Sequence, residues 1–85
     1  MKTVDDLDFV RDPSMEVYRA RLQFNQYSMM ISLEKPSNLY AITVSDEHGF
    51  VNLDNVNPGV TVTSFLSKED VNQRIVAMYR YIENS

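Results

Sequence analysis

Between Glu16 and Phe24 the even positions Tyr18, Ala20, Leu22 and Phe24 are apolar and alternate with Arg19, Arg21 and Gln23. A period of two predicts a strand with one buried face. From Tyr27 to Glu34 the phase inverts, with Tyr27, Met29, Ile31 and Leu33 apolar against Ser28, Ser32 and Glu34, and only Met30 out of step. If Asn25-Gln26 is a two-residue loop, Phe24 faces Tyr27, Leu22 faces Met29, Ala20 faces Ile31 and Tyr18 faces Leu33. Every apolar residue then lies on one side, so register and pattern agree on a hairpin.

Lys35-Pro36-Ser37-Asn38 reads as a loop, and Leu39 to Ser45 as a third strand in which Tyr40, Ile42 and Val44 share a face. The next turn is Asp46-Glu47-His48-Gly49. It opposes Ser45 to Phe50, Val44 to Val51 and Ile42 to Leu53, which predicts a fourth strand over 50–53. Asn57-Pro58-Gly59 marks a further turn before a fifth strand from Val60 to Leu66.

From Ser67 to Asn84 the period changes, with Val71, Ile75, Met78, Tyr79 and Ile82 at helical spacing. Ser67 with Asp70 three residues later predicts a capping box, and Leu66 with Val71 a hydrophobic staple. The sequence therefore predicts an α+β domain: an antiparallel β-meander of about five strands with one C-terminal amphipathic helix packed on one face. The other face carries Val17, Arg19, Arg21, Met30, Leu39 and Ala41, with Phe65 a further candidate. That surface is neither dry nor fully polar, and in a small domain such a face is a candidate for a partner or homodimer contact.

Asp12-Pro13 is the clearest break in the pattern. It separates an acidic lead-in, residues 1–12, from a single domain over 13–85. Leu7, Phe9 and Val10 favour a short turn docked on the fold, whereas Asp5, Asp6, Asp8 and Asp12 favour a solvated arm, and the pattern leaves both open. The size, 85 residues and 9.9 kDa, supports one modest core, since scaling rules bury roughly 64% of the surface of such a chain.

Twelve acids against eight bases give a net charge of -4. That balance opposes non-specific attraction to nucleic acid and anionic membrane. No apolar run approaches the ~18 residues of a membrane-crossing helix, and no basic leader opens the chain. With no cysteine, thiol catalysis, disulfides and thiolate metal sites are excluded, and a reducing, cytoplasmic setting is the expectation.

The candidate chemistry is sparse. His48 is the only histidine and lies between acids in a polar turn, where a solvated imidazole is the ordinary outcome. No G-x-S-x-G and no glycine-rich phosphate loop is present, and both glycines, Gly49 and Gly59, fall in turns. The expectation is a non-enzymatic protein without cofactor or metal. Arg19 and Arg21 share a face but Tyr18, Tyr27 and Tyr40 belong to the opposite one, so the sheet makes a poor stacking platform for single-stranded nucleic acid. Nucleic-acid binding remains an alternative function, as does a homo-oligomeric structural or assembly role.

For Arg19, Glu34 or Glu16 is the expected ion-pair partner. The candidate partner-binding residues are Arg19, Arg21 and Met30 on the open face, Asp5, Asp6 and Asp8 as an electrostatic arm, and Tyr81, off the helix stripe beside Arg80, as an anchor.

Tyr18–Phe24, Tyr27–Leu33, the string LYAITVSDEHG from Leu39 and FLSKEDVNQRI from Phe65 together resemble small accessory proteins of tailed-bacteriophage genomes. Those chains are similar in having a first hairpin, an LYxIxV strand and an LSxEDV lead into the last helix. Where they often place glycines in that hairpin, this chain has Asn25 and Gln26. The resemblance spans about residues 16–82 and concerns elements of fold rather than a site. It implies an early protein that binds a larger host protein in the host cytoplasm, in the style of an inhibitor of a defence nuclease of the anti-CRISPR or anti-restriction type.

Overall fold

The computed structural model describes residues 1–84. Six antiparallel strands, β1 (Val10–Arg11), β2 (Val17–Phe24), β3 (Tyr27–Glu34), β4 (Leu39–Asp46), β5 (Gly49–Phe50) and β6 (Thr63–Leu66), precede one helix, α1 (Lys68–Glu83). The sheet runs β1-β2-β3-β4-β5, with β6 also paired to β4. This is an α+β meander with a C-terminal helix.

The β2–β3 hairpin has the register that alternation dictates, with Phe24 opposite Tyr27, Leu22 opposite Met29 and Ala20 opposite Ile31. Asn25 carries the turn at φ 53, a left-handed conformation that Asn tolerates better than most side chains. At the β4–β5 turn the Asp46 carboxylate accepts the His48 N–H at 2.8 Å and Gly49 takes φ 121. Ser45 opposes Phe50 as expected.

Beyond that point the structure departs from a continuous fourth strand. Val51 N–H donates to the Val44 carbonyl at 2.9 Å, and the chain then turns away. The buried Asn57 stops it: its Nδ2 donates to the Val51 carbonyl and its Oδ1 accepts Leu53 N–H, each at 2.9 Å. The rest of the β4 edge goes to β6, through Tyr40 opposite Leu66 and Ile42 opposite Thr63. Because β4 offers so short a stretch, only Thr63–Leu66 pairs, and Val60 and Val62 lie outside the sheet, half-exposed.

Leu22, Phe24, Met29, Ile31, Ile42 and Val44 line the inner face of the sheet, and Val71, Ile75 and Met78 of α1 close over it. Ser67 caps the helix, its hydroxyl accepting Asp70 N–H at 3.1 Å while the Asp70 carboxylate accepts Ser67 N–H at 3.2 Å. Those bonds hold the Asp70 carboxyl below its ordinary value.

The lead-in is docked. A single 3-10 turn over Val4–Asp6 buries Val4 in the core, and Val4 N–H donates to Asn72 Oδ1 at 2.9 Å. Leu7 and Phe9 pack against the same core. Phe9 meets Tyr40 edge-on at 6.2 Å, before the chain emerges as β1.

Candidate interaction face

Alternation sends the odd residues of β2 and β4 and the even residues of β3 to the side away from α1. Register aligns them in rows: Val10 beside Arg19, Ser32 and Ala41; Arg21 beside Met30 and Thr43; Gln23 beside Ser28, Ser45 and Phe50. No element covers these rows among the described residues. Three large apolar side chains stand exposed around them: Val10 at 70%, Phe50 at 68% and Phe65 at 81%. Exposed apolar groups gathered on one face carry more weight than the same groups scattered.

Phe50 forms one wall of a depression of about 470 Å³, with Met30 and Thr43 in its floor, Arg21 on one side and Asp46 and Glu47 on the other. Arg21 is exposed and has no ion-pair partner among the described residues. Phe65 borders a smaller cleft of about 80 Å³ with Glu34, Leu39 and Ala41. Its φ is 60, a costly conformation for a bulky side chain. One extra residue of β6 is inserted between the Tyr40 and Ile42 pairings, the mark of a β-bulge that re-aims a side chain.

The candidate residues separate in space. Arg21 and Met30 are direct cross-strand neighbours. Arg19 lies on the same face but pairs with Asp12, not with Glu34 or Glu16, because β1 carries Asp12 alongside β2. The Asp12 carboxyl is held down to about 2, first by the Ser14 hydroxyl and N–H and then by Arg19. Asp5 and Asp6 are not displayed as an arm. Asp5 pairs with Lys68 at 2.9 Å, and Asp6 accepts Thr3 N–H at 2.9 Å within the 3-10 turn. Asp8 is exposed.

Tyr81 is half-buried, its ring edge-on to Tyr27 at 5.8 Å. Hydrogen bonding with Tyr81, followed by burial, raises the Tyr27 phenol. Tyr81 thus packs at the margin of the sheet, away from the open rows. His48 is exposed in its turn, 3.3 Å from Glu47. Among the described residues no three His, Asp or Glu side chains gather at metal-binding distance, and no helix is long and apolar enough to cross a membrane.

No protein-family model matches the chain, and no curated protein or solved structure matches it.

Val10 and Phe50 are not among the partner-binding candidates of the sequence, and Val10, expected to help dock the lead-in, instead stands exposed. Phe50 was within reach, since the expected pairing with outward-facing Ser45 already puts it on the open face. Val10 was not, because a two-residue strand leaves no periodic signal.

Proposed function

We propose that the chain is a non-catalytic binding protein that occludes a surface of a larger protein with its open sheet face. The observation that carries this reading is the ring of exposed Val10, Phe50 and Phe65 around the half-buried Met30 and the unpaired Arg21. Apolar anchors beside an arginine are the composition enriched where proteins bind proteins. The likeness to small phage accessory proteins directs the search toward host enzymes, defence nucleases first, and toward an inhibitor acting in the host cytoplasm.

The test is parallel capture from a nuclease-treated bacterial lysate by the wild-type chain, by Arg21→Glu/Met30→Asp, and by Asp54→Lys as a control away from the face. The reading expects one stoichiometric protein that the control retains and the double variant loses. Equal capture by all three removes the face from the mechanism.

A second reading, self-association, has one specific observation in its favour. Arg21 and the Asp46–Glu47 pair flank the same depression, so two copies related by a two-fold axis would pair them reciprocally. Light scattering after gel filtration separates the readings: a dimer abolished by Arg21→Glu supports self-association, and a concentration-independent monomer excludes it.

A further inference from the structure

The open face ends in a strand edge that its neighbour covers only in part. β1 pairs with β2 at Arg19 and Tyr18 alone, and Asp12 N–H donates to the Val17 carbonyl at 2.8 Å. Those bonds show that the odd residues of β2 turn their peptide groups away from β3. With a period of two, Arg21 and Gln23 do the same. No described residue pairs with them on that side. The stretch from Ala20 to Phe24 therefore presents two N–H and two C=O groups in a row. It contains neither proline nor bulge, two of the devices that ordinarily blunt an edge, and its one charge is Arg21. The far side of the sheet is treated differently, since the bulge at Phe65 interrupts β6.

We infer that this edge accepts one extended segment of the partner protein, antiparallel to β2 and in line with β1, with a carboxylate opposite Arg21. The inference rests on the binding reading above and specifies how the partner is held. Strand addition draws affinity from main-chain bonds and selectivity from alternate side chains.

The register of β1 supplies the side-chain rule. Val10 opposes Arg19, so a straight continuation would set Asp8 opposite Arg21. The chain instead turns inward at Phe9, whose ring packs on Tyr40, and leaves that length of edge to another strand. Arg19 is already neutralised by Asp12, whereas Arg21 is exposed and unpaired. An acid opposite Arg21 makes a cross-strand pair of opposite charge. Segment residues opposite Ala20, Leu22 and Phe24 point to the helix side, where Phe24 and Tyr79 meet edge-on at 5.0 Å. Apolar residues suit those places.

The probe that follows is acetyl-Val-Thr-Val-Glu-Val-amide, compared with the same peptide carrying Lys for Glu, at concentrations up to about 1 mM, the weak end of useful affinity. Amide spectra and hydrogen exchange of the intact protein are the readout. The Glu peptide is expected to shift and protect the N–H groups of Arg21 and Gln23 and to leave that of Leu22, which already faces β3, unchanged.

Gln23→Pro removes one outward donor at an edge position where proline is tolerated, and it should weaken binding about tenfold or more while Gln23→Ala does not. Arg21→Glu should reverse the preference in favour of the Lys peptide, a result independent of how well the proline variant folds. Unchanged exchange at Arg21 and Gln23 with the Glu peptide overturns the inference. So does protection of both groups in the free protein that grows with concentration, because a second copy would then hold the edge. Retention of the lysate partner by Gln23→Pro, with loss by Arg21→Glu/Met30→Asp, overturns the edge inference and leaves the face reading intact.

Discussion

Met30 and Ile31 are consecutive residues of β3, yet Ile31 is fully buried beneath α1 while Met30 remains half-exposed beside Arg21. The same strands thus make two surfaces of opposite character. On the inner face the rows are apolar apart from Thr63 beside Ile42, and the apolar stripe of α1 closes over them. On the outer face apolar and charged residues share the rows, and among the described residues no element lies over them, although Val17 at the start of β2 is buried. On the proposed binding reading, stability and recognition fall to alternate residues of one sheet, so substitutions should separate the two properties cleanly.

The sharpest way to break that division is to cut into the sealed face. Ile42→Ala, at a fully buried site in the middle of β4, should cost about 3 kcal/mol. In urea the midpoint would fall with little change in slope; a loss below about 1 kcal/mol would contradict the packing described. Asn57→Ala should come next, at about 2 kcal/mol, because it leaves the Leu53 N–H and Val51 carbonyl without the partner that arrests the chain after β5.

Ser67→Ala removes the helix cap and should cost about 1 kcal/mol. Chemical denaturation measures each of these.

A smaller effect should appear in acid. The Asp12 carboxyl is depressed from 3.8 to about 2 by Ser14 and Arg19, so its contribution is present in full above the ordinary carboxyl range and disappears as pH falls through about 2. Asp12→Asn should flatten that part of the acid dependence of the melting temperature, and an unchanged profile would remove Asp12 from the account. Smallest of all, Arg21→Glu and Met30→Ala on the unsealed face should stay within about 0.5 kcal/mol of wild type while binding is lost. A large drop in stability from either would show that the outer face is structural.

Much of this division was legible in the residues. Period-two alternation located β2, β3 and β4, and its phase fixed the hairpin register to the residue; the Ser67-Asp70 pair marked where α1 begins. The path after β5 was not legible, because Val51 and Leu53 continue the alternation and nothing local shows that Asn57 will be buried as an internal brace. Competition between β5 and β6 for one edge of β4 is likewise a property of the assembled sheet. The same limit applied to the site. Arg21 and Met30 could be placed by parity alone, but the neutralisation of Arg19 required knowing that Val10–Arg11 would form a strand and bring Asp12 with it.

The stitch between the lead-in and α1 bears on the order in which the fold assembles. Lys2 N–H reaches the Tyr79 hydroxyl, Val4 N–H reaches Asn72 and Asp5 reaches Lys68, contacts that span most of the sequence. Hairpins built from neighbouring strands can form while synthesis continues, but contacts of such long range carry the loop-closure entropy of the whole chain and are made late. Until residues near Tyr79 have left the ribosome, the inner face of the sheet has no lid and Lys2, Val4 and Asp5 lack their partners in α1. A nascent chain halted after β6 would therefore present its most apolar surface to the cell, and chaperone capture at that length is the expected signature of this topology.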